Sequence, residues 1–108
     1  MAEITSESRL EIGELVLDLE NRRAWLNSSE INFTRREFAV LTYLAQHIGR
    51  LVSDPELIKA VWGTDARLGD TALRSVIKRL RRKLGDDPRQ PRYITTVWGQ
   101  GYRFGAFM

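Results

Sequence analysis

Arg74, Lys78, Arg79, Arg81, Arg82 and Lys83 lie within ten residues of one another, interleaved with Leu73, Ile77, Leu80 and Leu84. At roughly 100° per residue the four apolar side chains fall in one narrow sector, with Val76 at its border. Thr71, Ser75, Lys78, Arg79 and Arg82 take the opposite side, and Arg74 and Arg81 a flank. Like charges one helical turn apart repel, so a face of this kind calls for a neutralising partner. The phosphates of a DNA duplex supply one, with release of counterions. An α-helix also fits the major groove, where Arg and Lys can read guanine edges. The small residues Thr71 and Ser75 would allow close approach, and either hydroxyl could meet a base or a phosphate. The competing reading is an amphipathic surface helix whose long cations snorkel into solvent.

The charge of the whole chain points the same way. Net charge is only +3, but from residue 70 onward nine Lys/Arg face three Asp, a local +6, while the first 69 residues carry −3. Such asymmetry suits either a polyanion reached through the C-terminal part or a solvated face.

The cationic helix must be seated by the rest of a single domain, because 108 residues are one domain's worth. Residues 1–8 are expected as a flexible tail or the end of a linker, and 9–108 as the domain. Leu10 and Ile12, Leu15, Leu17 and Leu19, Ala24 and Leu26, and Ile31 and Phe33 alternate with polar residues, which predicts three or four short antiparallel strands. Thr34 and Glu37 then form a capping box, with Phe33 and Phe38 placed as a hydrophobic staple. Phe38, Leu41, Leu44, Ala45 and Ile48 give that helix an apolar face, and Gly49 is expected to cap it. Ser53, Pro55 and Glu56 open a second helix, with Leu57, Ile58, Val61 and Trp62 on its buried side. Gly63 to Gly69 reads as a loop, and the third helix as Asp70 (N-cap) to Leu84, with Gly85 after it. After Pro88 and Pro91, Tyr93–Val97 and Tyr102–Phe104 read as strands joined by the turn Trp98-Gly99-Gln100-Gly101.

Other chemistries find little support. There is no cysteine, and His47 is the single histidine, placed where a cation suits a helix C-terminus. No nucleophile–base–orienter set and no phosphate-cradling glycine motif is visible, so neither enzymatic activity nor a cofactor is expected. No apolar run approaches the ~20 residues of a membrane span. Glu37 reads as a cap, Asp86-Asp87 as turn composition, and Trp25, Trp62, Tyr102 and Phe104 as packing. Trp98, in a turn, is open to both contact and packing.

Five motifs in one register carry a family resemblance. They are Phe33-Thr34-Arg35-Arg36-Glu37-Phe38, Val61-Trp62-Gly63, Leu80-Arg81-Arg82-Lys83-Leu84, Tyr93-Ile94-Thr95-Thr96-Val97 and Gly99-Gln100-Gly101-Tyr102-Arg103-Phe104. Together they resemble the OmpR/PhoB-type winged-helix domain of response regulators. Gly13-x-Leu15-x-Leu17-Asp18 resembles its opening strands, and Leu84-Gly85-Asp86-Asp87 also resembles the membrane-tethered CadC/ToxR branch. The resemblance implies an α+β winged helix-turn-helix: an N-terminal four-stranded antiparallel sheet, three helices and a C-terminal β-hairpin wing. It implies sequence-specific binding of double-stranded DNA and transcription regulation in the cytoplasm, by two copies in tandem and without membrane contact by this domain.

By residue, the resemblance puts DNA contacts on Thr71, Arg74, Ser75, Lys78, Arg79 and Arg81, and wing contacts on Thr96 and the turn after it, hence Trp98. Arg82 joins them from the charge pattern, mainly as a phosphate contact with Arg74 and Arg81, whereas Lys78 and Arg79 are expected at or near base edges. Loop 64–69 falls where relatives meet RNA polymerase or a regulatory partner. Relatives often carry Arg where this chain has Trp98, and Asp and His where it has Arg74 and Val76. A protein-interaction module that kept the fold without specific DNA readout is the alternative.

Overall fold

The computed structural model describes residues 3–6 and 8–105. Five short strands come first: β1 (Glu3–Ser6), β2 (Arg9–Ile12), β3 (Leu15–Asp18), β4 (Arg23–Leu26) and β5 (Ser29–Ile31). They form an antiparallel meander in the order β1-β2-β3-β4-β5. The last four are the strands expected from alternation. β1 adds a further edge strand, paired to β2, inside the segment expected as a tail or linker end; residues 1, 2 and 7 of that segment lie outside the described residues. Alternation buries Ile12, Leu15, Leu17 and Ala24 on one face. The other face carries Val16 opposite Trp25, and Arg9 and Arg23 sit over the Trp25 ring at 5.7 and 5.0 Å.

Helix α1 (Arg35–Gln46) starts as its sequence dictates: Thr34 Oγ1 accepts from the Glu37 amide at 3.2 Å, and Glu37 Oε1 accepts from the Thr34 amide at 3.0 Å. It ends two residues before the expected stop, with His47 as C-cap and Gly49 already beyond it. Strand β6 (Leu51–Ser53) leads into α2 (Asp54–Trp62), where Ser53 Oγ accepts from the Glu56 amide at 3.2 Å. Three residues are too short to show alternation, which is why β6 escapes a sequence reading.

The largest departure from the sequence reading lies in the segment expected as a loop. Gly63–Asp65 makes one 3-10 turn, and α3 then runs from Ala66 to Leu84 with Asp65 at its N-cap. Asp70 is therefore inside the helix, not its cap. Gly69 looks like a breaker in sequence, but here it is a point of close approach: a Cβ on it would lie 2.6 Å from Ile58 Cγ2 and 3.0 Å from the Trp62 ring. Its missing side chain lets α3 cross α2 at short range.

At the other end Gly85 adopts the left-handed conformation, and the Asp86 amide donates back to the Arg81 carbonyl at 2.8 Å. Strands β7 (Ile94–Val97) and β8 (Gly101–Phe104) form the expected hairpin, and β6 completes a second sheet in the order β6-β8-β7. The core joins the first sheet, three helices and the wing base through Leu15, Leu17, Leu41, Leu57, Ile77 and Phe104. Trp62, Tyr102 and Phe104 are buried in it, as expected of packing residues.

One surface cluster sets a pH signature. The Arg50 guanidinium donates to both Glu56 oxygens, at 3.2 and 2.6 Å, and the Tyr43 hydroxyl donates to Oε2 at 2.5 Å. Arg50 first and Tyr43 second hold the Glu56 carboxyl down to about 2. A carboxyl whose folded value is depressed adds stability above its ordinary value and loses it as pH falls. Thermal unfolding should therefore show a component lost between about pH 4.5 and pH 2 in the wild type and missing in Glu56→Gln. Superimposable pH profiles for the two proteins would rule the cluster out as its source.

Candidate nucleic-acid interface

The angular positions of α3 sort its cations into three groups, and the structure gives each group a different surrounding. The buried stripe is Gly69, Leu73, Val76, Ile77, Leu80 and Leu84. Opposite it, Thr71, Arg74, Ser75, Lys78 and Arg82 are all exposed. Among the described residues, Arg74, Lys78 and Arg82 have no hydrogen-bond or ion-pair partner in the protein. The Thr71 hydroxyl donates to the Leu68 carbonyl at 3.1 Å, which leaves its oxygen able to accept from a further donor.

On the α1 side of this ridge stand Arg79 and Lys83. Both reach Glu37, whose side chain is 0% exposed: Arg79 Nε donates to Oε2 at 3.0 Å and Lys83 Nζ to Oε1 at 2.6 Å. Lys83 also donates to the Asn32 carbonyl at 3.0 Å. Burial by itself pushes the Glu37 carboxyl up, but Lys83, the Thr34 amide and Arg79 together outweigh it and hold the group below its ordinary range. Glu37 was expected as a cap alone; that it also anchors α3 could not be read from α1's sequence, because the partners lie more than 40 positions away.

On the wing side stands Arg81. One Nη donates to the Ile94 carbonyl at 3.0 Å and to Thr96 Oγ1 at 2.7 Å. Two residues expected at DNA are thus brought together with each other, tying α3 to β7. A second tie comes from Asp86, a residue whose sequence context points only to a turn. It is buried, and its oxygens accept from the amides of Arg92 at 2.6 Å, Tyr93 at 3.2 Å and Ile94 at 2.9 Å. Its partners lie six to eight positions on, beyond the reach of the local Asx patterns that sequence can show. Asp87 is exposed and pairs with Arg89.

Between α3 and the wing runs an open groove of about 550 Å³, lined among others by Arg74, Lys78 and Arg82 from the helix and by Trp98, Gln100 and Tyr102 from the wing. Trp98 is 83% exposed at the tip, so packing into the domain is not its role in this structure. The arrangement is a cationic ridge beside a wing with an aromatic tip, set apart by an open groove.

A family described as "Transcriptional regulatory protein, C terminal" matches residues 28–104. The chain belongs to this family. The match takes in all of α1, α2, α3 and the wing of this transcriptional-regulator domain. Over 97 residues it is 37% identical to the transcriptional regulatory protein KdpE of Mycobacterium tuberculosis, covering 90% of this chain and 43% of KdpE. Its fold is similar to that of response regulator DrrB, an OmpR/PhoB homologue of Thermotoga maritima (TM-score 0.76, 34% identity, 92% of this chain, 45% of DrrB). It also resembles the RstA DNA-binding domain of Klebsiella pneumoniae, solved in complex with the RstA box (TM-score 0.83, 30% identity, 92% of this chain, 98% of that one). The domain thus has the OmpR/PhoB-type winged-helix fold, and it spans less than half the length of KdpE and DrrB. Among the described residues no helix of the domain is long and apolar enough to cross a membrane.

Proposed function

We propose that this domain binds double-stranded DNA sequence-specifically and regulates transcription, as the effector domain of a two-component response regulator or a related regulator. The observation that carries the reading is the row Arg74, Lys78 and Arg82: three cations one turn apart on an exposed face, none with a protein partner among the described residues. Family membership and the DNA complex of the RstA domain support it. The α3 ridge enters the major groove, where Thr71, Ser75, Lys78 and Arg79 meet base edges or nearby phosphates and Arg74 and Arg82 hold the backbone. The wing presents Thr96 and Trp98 to the adjoining strand. Arg81 acts chiefly as the tie that sets the wing's distance from α3.

Further parts of the reading rest on the family resemblance. The DNA-binding unit works in the cytoplasm and without membrane contact. Two copies occupy half-sites about one helical turn, ~10–10.5 bp, apart. Residues 64–69 offer a surface for RNA polymerase. That surface is helical rather than a loop, and its apolar feature is Leu68, 57% exposed.

A second reading, an interaction module without DNA readout, is favoured by the exposed Trp98 standing where relatives often carry Arg. A salt titration with random-sequence duplex separates the two. Binding through several phosphates requires the logarithm of affinity to fall with the logarithm of salt at about 0.9 per contact, so a slope of about 3 or steeper is expected. Negligible binding at low salt would favour the interaction module and overturn the DNA reading.

A further inference from the structure

We infer that Glu37 is a positioning residue for base recognition, acting through Arg79; the inference rests on the DNA-binding reading above and assigns the device by which it gains specificity. The buried carboxylate takes Arg79 by Nε alone, at 3.0 Å. Among the described residues the two Nη groups of Arg79 have no protein acceptor, and the side chain remains 46% exposed. A guanidinium offers five N–H donors in a rigid planar fork. With Nε–H committed inward, the end-on pair of Nη groups is left for a base edge, the geometry that suits the O6 and N7 acceptors of guanine.

The brace is itself held from both sides. Glu37 Oε1 is held by the Thr34 amide at 3.0 Å and by Lys83 Nζ at 2.6 Å, and the Glu37 amide is held by Thr34 Oγ1 at 3.2 Å. The carboxylate is therefore fixed from α1's first turn and from α3's last turn at once. An arginine held in this way has already lost much of its rotamer freedom before DNA arrives, so less is lost when the base contact forms. Lys78, one position earlier and without a protein partner among the described residues, lacks such a brace; it serves as a mobile charge.

The test uses the domain and a duplex chosen by the wild-type protein from a random-sequence pool, with a scrambled duplex of the same composition. Glu37→Gln keeps the shape and can still accept from the Thr34 amide, but its amide group offers a donor or a neutral oxygen to Arg79. It should lower the preference for selected over scrambled duplex about tenfold, with the salt dependence on scrambled duplex unchanged. In an Arg79→Ala background the same change should have almost no effect on preference, because the two act in series. Equal effects of Glu37→Gln with and without Arg79, or an unchanged preference, would overturn the inference. Arg79→Lys supplies the independent readout should Glu37→Gln fold poorly. It keeps the charge but not the fork, so it should lose preference and retain the salt slope; retained preference would overturn the inference as well. A wild-type protein that selects no duplex at all would instead remove the DNA reading on which the inference stands.

Discussion

Gly101→Ala should lower the unfolding free energy by roughly 2–6 kcal/mol, from roughly 1–3 for the backbone and 1–3 for overpacking. Gly101 has φ +151° in the middle strand of the second sheet, paired to Ser53 on one side and Val97 on the other. A Cβ there would run into the Val52 carbonyl oxygen and lie 2.8 Å from Ser53 Cα. Both are backbone atoms, so no side chain can turn aside; β6 and β8 must separate. That movement is transmitted in two directions, into α2 through its N-cap Ser53 and into the wing through β8. Gly99 is the internal control. Its φ is +75°, but nothing lies within 4 Å of its missing Cβ, so Gly99→Ala should cost only about 1 kcal/mol. Chemical denaturation of both variants measures the difference. For a domain of this size 3 kcal/mol corresponds to a fall in Tm on the order of 15 °C. Equal destabilisation of the two variants would show that the close approach to β6 yields more readily than its backbone contacts suggest.

What could be read in the sequence follows from how local each signal is. The capping box of Thr34 and Glu37, the α2 start at Ser53 and the Gly85 stop all act within four residues, and the structure keeps each of them. The apolar stripe of α3 is a 3.6-residue period and survived intact. The beginning of α3 did not, because Gly69 and Asp70 carry local meanings, breaker and cap, that tertiary packing overrides: Gly69 is there to let Ile58 and Trp62 approach. Strand β6 has no pattern of its own and exists because β8 offers it an edge. The same distinction applies to the site. The cationic face was legible as a face, yet its division was not. Nothing along α3 tells that Arg79 and Lys83 are turned toward Glu37 and Arg81 toward Ile94 and Thr96, since every one of these partners is more than ten positions away. Six cations within one helix thus have three different tasks: an exposed ridge, a braced arginine and ties that hold the helix to its neighbours.

That division makes the size of a combined substitution calculable. Replacing Arg74, Lys78 and Arg82 together by alanine removes the three cations that have no protein partner among the described residues, while leaving the Glu37 and Thr96 ties in place. Stability should change little, because exposed substitutions on a helix away from caps and buried networks stay within about 0.5 kcal/mol each, and alanine favours the helix. Duplex affinity should instead collapse. Each lost phosphate contact takes about 0.9 from the salt slope, so the slope should fall by about 2.7, and extrapolation from 1 M to 0.1 M salt turns this into roughly a 500-fold loss. Arg81→Ala is the contrasting variant. It deletes one formal charge as well, but from a guanidinium held by the Ile94 carbonyl and Thr96, so its larger effect should be on thermal stability and on protection of the DNA strand beneath the wing. A triple variant that binds random duplex within about tenfold of the wild type would mean that phosphates are met elsewhere, and the ridge would lose its claim to be the DNA-facing surface.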